Sequence, residues 1–367
     1  MMAPHEFPQV AAAGGEGHFH TAPLPDEHRE VSFIWSGDLG GQSRCRQGPR
    51  GYPILDRIRA MRPQFLLFLG DLVYADEPCD VPPNEPGSDY RATTLDEFRG
   101  KHRYQREARS LQDLLADVPV WAMWDDHEVR NNFSGPTDPQ MPAGRQALLD
   151  YWPIGTSATD PTRLYRSLRY GADLEVFILD TRQYRSPNPE RDGPGKTMLG
   201  QAQLSWLIER LTRSTATWKV VATTVPLANS RKSSRAGIPG NDSWARADDG
   251  TGFETELAAI LQACRARGVQ NLIWLAADVH YVQGTAFDPD DDGVVDFHEF
   301  IAGPLSAYYG RPVTPPPTFR PTVLFSGTDL SNFGVVTVSS QAFRVDIVDA
   351  DGIVRYSHRI PARSLQR

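Results

Sequence analysis

Phe65-Leu66-Leu67-Phe68-Leu69-Gly70-Asp71-Leu72-Val73-Tyr74 carries the pattern that decides the fold. Five consecutive large apolar residues without polar alternation read as a strand buried on both faces, as in a parallel sheet covered by helices. Directly after it stand a glycine, a carboxylate and, three residues on, a phenol. The same arrangement recurs along the chain. Val31–Ser36 runs into Gly37-Asp38-Leu39-Gly40, Val118–Trp124 into Asp125-Asp126-His127-Glu128, and Asn271–Ala276 into Asp278-Val279-His280; Trp218–Thr224 leads to Pro226-Leu227-Ala228-Asn229-Ser230.

Between these runs, and the further strand Leu174–Leu179, the segments Tyr52–Met61, Leu95–Leu115, Leu204–Leu211 and Phe253–Ala266 show helical spacing with charged outer faces. Thr94-Leu95-Asp96-Glu97 and Thr251-Gly252-Phe253-Glu254 both fit a capping box. Strands alternating with helices predict an α/β fold with functional loops at the strand C-termini. Toward the end, Val282–Phe287, Phe297–Ala302, Val335–Ser339, Phe343–Val348 and Ile353–Ile360 read as strands, the last three as an antiparallel closure of a sheet. Pro78–Tyr90, Ser230–Ala247 and Pro304–Gly327 read as substrate-facing loops. The expected organisation is an N-terminal segment, 1–30, followed by one domain, 31–367.

Composition narrows the function. The 367 residues carry a net charge of −8 and no long basic run, which argues against a nucleic-acid or anionic-membrane face. No stretch of 18 apolar residues spans a bilayer. The opening MMAPHEFPQVAAAGGEGHFH lacks the basic and apolar blocks of a signal peptide. Of three cysteines, Cys45 and Cys79 lie in loops just past motif-bearing strands, which allows a bridge, although free thiols are the default expectation.

Each acidic motif has a bland reading when alone: an Asx-turn for Asp38, a wall residue for Tyr74, a structural histidine for His280. Together they place carboxylates, a phenol and imidazoles at neighbouring strand ends, where like charges repel unless a cation binds them. A pair of metal ions satisfies that demand, and paired metals point to attack on a phosphorus centre. Asp278 and His280, two apart, are expected to face one site from a strand. His127 suits a proton donor beside the metals. Asn131 and Asn132 add carbonyl oxygens.

Taken together, Trp35-Ser36-Gly37-Asp38, Gly70–Tyr74, Trp124–Glu128 with Asn131-Asn132, Leu179–Arg185 and Asp278–His280 resemble the alkaline phosphatase D family of calcineurin-like metallophosphoesterases, which are related to purple acid phosphatases. Leu199-Gly200, Gln203, Trp206-Leu207 and Asp242-Ser243-Trp244 look like further markers. The resemblance implies a four-layer αββα sandwich with mixed sheets, and phosphoester hydrolysis by a metal-bound hydroxide. It implies Fe(III) held by Asp38, Asp71, Tyr74 and His280, with Asp71 bridging to a second metal near Asp126, for which Asn131 is a rival ligand. Thr224 and Asp278 stand where the wider superfamily has histidines. The second metal thus gains oxygen donors, which suit Ca²⁺ or Mg²⁺ more than Zn²⁺.

Iron and calcium are therefore expected, with Mn²⁺, Mg²⁺ or Zn²⁺ as alternatives in a phosphodiesterase or phospholipase D-like enzyme. A calcium-binding protein on a decayed scaffold is the non-enzymatic rival. Arg182 reads either as a phosphate contact or as a buried ion pair beneath the site. Asp288, Asp290, Asp292, Asp296 and Glu299 match a twelve-residue EF-hand loop, although their flanks read as strands rather than helices. Family members often carry an export signal and an Ig-like domain; Gly17–Pro23 looks like the tail of such a domain, which suggests a periplasmic or extracellular protein.

Overall fold

The computed structural model describes Gly17, Phe19 and residues 21–156, 158–229 and 240–363. Most of the expected N-terminal segment and part of the expected loop Ser230–Ala247 fall outside these residues. Two sheets form the centre. One has the order β13-β12-β11-β1-β2-β3, the other β10-β8-β9-β7-β6-β5-β4. In the first, β1 (Val31–Ser36), β2 (Leu66–Leu69) and β3 (Val120–Met123) are parallel. β11 (Asn332–Val338), β12 (Ala342–Asp349) and β13 (Val354–Pro361) extend it as an antiparallel meander. In the second, β5 (Leu174–Ile178), β6 (Trp218–Ala222), β7 (Leu272–Ala276) and β9 (Phe297–Ile301) are parallel. Antiparallel neighbours β4 (Arg166–Tyr170), β8 (Val282–Phe287) and β10 (Pro321–Gly327) complete it.

Side-chain alternation builds four layers from these sheets. Phe33, Trp35, Leu67 and Leu69 point inward and meet Val176, Ile178, Val220, Ile273 and Leu275 of the facing sheet. Ile34, Leu66 and Phe68 point outward onto α1 (Pro53–Ala60), α3 (Arg109–Asp117) and α4 (Met141–Tyr151). Phe177, Val221 and Trp274 cover the other outer face with α5 (Gly200–Arg213) and α6 (Glu254–Ala266). The parallel strands are therefore covered on both faces, which explains the unbroken apolar runs of β2, β3 and β7. The expected αββα sandwich is the observed fold.

Several local expectations need correction. Leu95–Leu115 is two helices, α2 (Leu95–Arg106) and α3, because Ala108 is extended and the amides of Arg109 and Ser110 turn to the carbonyls of Pro49 and Arg50. The capping box at Thr94 and Glu97 forms, but α6 starts from Phe253, with no side-chain cap from Thr251. Pro321–Gly327, read as loop, is strand β10. Cys45 and Cys79 form a disulfide instead of remaining free. The bridge ties the loop after β1 to the loop after β2, under the Tyr104 ring.

The EF-hand is not built. β9 alternation sends Glu299 into the interior, where it is fully buried and accepts the Leu227 amide proton at 2.5 Å. Asp288, Asp290 and Asp292 do converge at a hairpin tip, but Asp288 caps the amides of Asp292 and Gly293, and Asp290 pairs with Arg265.

Trp35 links the two sheets where the motif loops begin, its indole donating to the Ala276 carbonyl at 3.3 Å. Gly334 of β11 lies against this ring, and a Cβ there would approach Trp35 to 2.0 Å. Gly334→Ala should lower stability by about 1–3 kcal/mol through overpacking. Gly193→Ala, at a position open to 4 Å around, should stay near wild type. Urea denaturation of both proteins checks this, and equal midpoints would refute it.

Candidate metal centre

The C-terminal ends of β1, β2 and β3 meet those of β5, β6 and β7 where the two sheets converge. Contact is close enough to demand glycine. A Cβ on Gly37 would lie 2.9 Å from the Ala277 Cβ, and one on Gly70 would lie 2.4 Å from the Asp125 Cβ. Just past β1, β2 and β7 the backbone turns left-handed at residues that are not glycine: φ is 64° at Asp38, 49° at Asp71, 65° at Asp278 and 60° at His280. Non-glycine residues are uncommon in this region, and Asp and His tolerate it best. The expected strand alternation does not place Asp278 and His280. β7 ends at Ala276, and the two residues diverge to opposite ends of the centre.

Three groupings, buried except for the half-buried Asp278, join into one array. Asp38, Asp71 and His280 present ligand atoms within 4.8 Å of one another, as do Asp71, Asp126 and His127, and again Asp125, Asp126 and Asp278. Asp71 is shared by the first two and Asp126 by the last two. The phenol of Tyr74 sits 3.1 Å from His280 Nε2, which is also 3.4 Å from Asp38 Oδ1. The Tyr308 carbonyl, which can only accept, lies 2.9 Å from His280 Nδ1. Nδ1 therefore carries the proton and Nε2 offers its lone pair to the centre.

Charge is out of balance within this array. Asp38 Oδ2, Asp125 Oδ2 and Asp126 Oδ1 are buried and accept no hydrogen bond. Burial pushes the Asp71 carboxyl well above its usual range, and Asp126, Asp125 and Asp38 push it further, against the pull of His127. Burial also raises the Tyr74 phenol, with Asp71 and Asp38 adding to it. Carboxylates held this way favour a bound cation, whose charge reverses each shift. The donor set fits hard ions: carboxylates and a phenol on one side, carboxylates alone beyond Asp126.

Residues around the array hold it in place. His127 stacks on Tyr74 with ring centroids 4.2 Å apart and donates from Nδ1 to Asp76 at 2.6 Å. Burial alone would lower its imidazolium, but Asp76, Asp126 and Asp71 together raise it well above the ordinary value. Asn131 reaches the network through its backbone amide, 2.8 Å from Asp76 Oδ2. Thr224 donates to Asp125 Oδ1 at 2.6 Å.

Arg182 is fully buried. Its Nε contacts Asp125 at 2.5 Å, its two terminal nitrogens grip Asp242 at 2.8 Å each, and Nη2 stands 3.7 Å from both Asp126 and Asp278. Of its two readings the geometry is that of the ion pair beneath the site, not of a phosphate contact. Asp242 also holds Arg185 at 2.7 Å. Asp76, Asp125 as a member of the array, and Asp242 as the arginine anchor were not read from sequence. Asp125 and Asp242 stood inside quoted motifs without these roles, whereas Asp76 stood in none; Asp76 and Asp242 act through partners 51 and 60 residues away.

The family model of PhoD-like phosphatases matches residues 41–339. Alkaline phosphatase D of Bacillus subtilis (strain 168) is 29% identical over 299 residues, covering 72% of this chain and 48% of that protein. The chain thus spans about half the length of the curated relative it matches. The solved structure of PhoD superposes with a TM-score of 0.72 at 21% identity, covering 94% of this chain and 74% of that one. Purple acid phosphatase PPD1 from yellow lupin (Lupinus luteus) seeds superposes with a TM-score of 0.63 at 15% identity, covering 94% and 56%. At these identities the two structures speak for the fold.

Replacing Arg182 separates its two readings. Arg182→Ala strands Asp125 and Asp242 as buried unpaired carboxylates and should cost about 3–5 kcal/mol of stability. Thermal unfolding measures the loss. An unchanged midpoint with a raised KM would restore the phosphate-contact role.

Proposed function

Because the chain belongs to the PhoD-like phosphatase family, we propose that it hydrolyses phosphate esters at a dinuclear metal site, with residues 31–367 as the catalytic unit. The observation that carries this reading is the continuous buried array in which Asp71 and Asp126 are shared between neighbouring groupings. Asp38, Asp71, Tyr74 and His280 would hold one ion, and Asp71, Asp126 and Asp278 the other, with Asn131 as a further oxygen donor. Fe(III) and Ca²⁺ are the assignment that the phenol and the all-oxygen second set support. When bound, such a pair supplies Lewis-acid neutralisation of phosphoryl oxygens and lowers the pKa of water from about 16 toward 7.

The chain's own groups do the rest. Asp76 fixes the His127 ring through Nδ1, so Nε2 is the atom that delivers a proton to the leaving oxygen. Asp76, first among the charges that raise it, favours the charged form of that imidazole. Arg182 offsets Asp125 and Asp242, so the carboxylates facing the metals can stay close together. The buried backbone ties of His280 and Asp71 preorganise the ligands before substrate arrives. Export is part of the proposal: the Cys45–Cys79 disulfide supports an oxidising compartment.

Two experiments test the reading. Metal analysis with an absorption spectrum should find one iron and one calcium per chain and a visible band that Tyr74→Phe abolishes. A colourless, active zinc or manganese protein would sink the iron assignment. On the same preparation, paired mono- and diester chromogens should be hydrolysed, and chelation should stop it. His127→Ala should cut turnover of alkyl leaving groups by roughly 10²–10⁴-fold, and of nitrophenolate far less. Equal losses on both would remove His127 from the acid role.

A further inference from the structure

The segment from Leu305 to Gly310 straps the centre. The Leu305 amide donates to the Gly37 carbonyl at 3.0 Å and the Ser306 amide to the Asp38 carbonyl at 2.9 Å. Gly40 and Gly41 return amide protons to the Ser306 carbonyl at 2.6 and 3.1 Å. At the other end, the Gly310 amide donates to the His280 carbonyl at 2.8 Å. A Cβ on Gly310 would lie 2.0 Å from the Val279 carbonyl oxygen, so only glycine permits this approach. The Tyr308 amide is held in turn by Gln42 Oε1 at 3.3 Å.

Within this pinned backbone one large side chain stays outside. Tyr308 keeps 40% of its surface exposed, while its ring meets that of His280 edge-on with centroids 4.9 Å apart. Its neighbour Tyr309 is covered by the Arg44 guanidinium at 4.0 Å. The protein thus holds an aromatic ring one imidazole away from the candidate ligand array, on a pinned backbone and open to solvent. A ring on such a backbone, with only two side-chain torsions, loses little entropy when a second ring stacks on it.

We propose that Tyr308 is a specificity-determining residue whose ring forms a wall of a leaving-group subsite favouring phosphoesters with a planar aromatic group over saturated ones of equal size. The assignment rests on the phosphoester reading above for its substrate, but not for its test. Phenylphosphonate and cyclohexylphosphonate are non-hydrolysable, match in size and differ in planarity. Calorimetric titration of the metal-loaded protein should show phenylphosphonate binding roughly three- to tenfold tighter, the factor an aromatic pair contributes. Tyr308→Ala should abolish that preference and Tyr308→Phe should keep it.

The ratio of kcat/KM for phenyl and cyclohexyl phosphoesters should move in parallel. Equal affinity of the wild type for both phosphonates overturns the subsite, as does a preference that survives in Tyr308→Ala. A Tyr308-dependent binding preference without any hydrolysis supports the subsite and refutes the hydrolase reading, so the two failures are distinguishable.

Discussion

Mutual repulsion among buried carboxylates is the constraint on which this molecule turns. Asp38, Asp71, Asp125, Asp126 and Asp242 are buried and converge with the half-buried Asp278, with little water to share their charge. Two devices offset it. Arg182 is a permanent internal cation on the far side, where its guanidinium pairs with Asp125 and Asp242. On the near side, where Asp38, Asp71 and Asp126 meet Tyr74 and His280, the described residues bring only the 3.7 Å approach of Arg182 to Asp126 and the imidazole of His127, and bound cations would complete the balance.

The scaffold exists to bring strand ends together. Two parallel blocks with helices on their outer faces aim their C-terminal edges at the same point, and the inward layer of Trp35, Leu67, Val220 and Ile273 keeps the blocks in register. Trp35 joins that core to the β7 end through Ala276, and Trp124 joins the β3 end to Asp180 at 2.9 Å. Core packing and ligand geometry are therefore one system. A shift of either sheet displaces half of the array relative to the other.

What was legible in the sequence follows from burial. The strands Val31–Ser36, Leu66–Leu69 and Leu272–Ala276 announce themselves because both faces are covered. α4 passed unread because Pro142, Gly144 and Ala147 give it a weak apolar stripe; Gly144 is needed there so that the helix can rest on the Glu128 carbonyl. The motif acids were readable as a set, but their partners were not. Asp76 and Asp242 find His127 and Arg182 across the fold, and no local pattern encodes that. The EF-hand spacing shows the opposite: Asp288, Asp290 and Asp292 come together as the pattern expects, but Glu299 does not join them. A local pattern matched while the strand alternation of β9 turned Glu299 inward. Three cysteines could not specify the Cys45–Cys79 bridge, which depends on two loops from neighbouring strands meeting.

The left-handed backbone at Asp38, Asp71, Asp278 and His280 limits how such a centre can diverge. Short side chains able to bond their own backbone occupy that region most readily, so Asp, Asn and His interchange there with little conformational penalty, whereas Glu or Cys would carry a larger one. Drift along a lineage is thereby channelled into swapping oxygen for nitrogen and anion for neutral donor on an unmoved main chain. Changes of preferred ion can then accumulate one position at a time, with the surrounding sandwich left untouched.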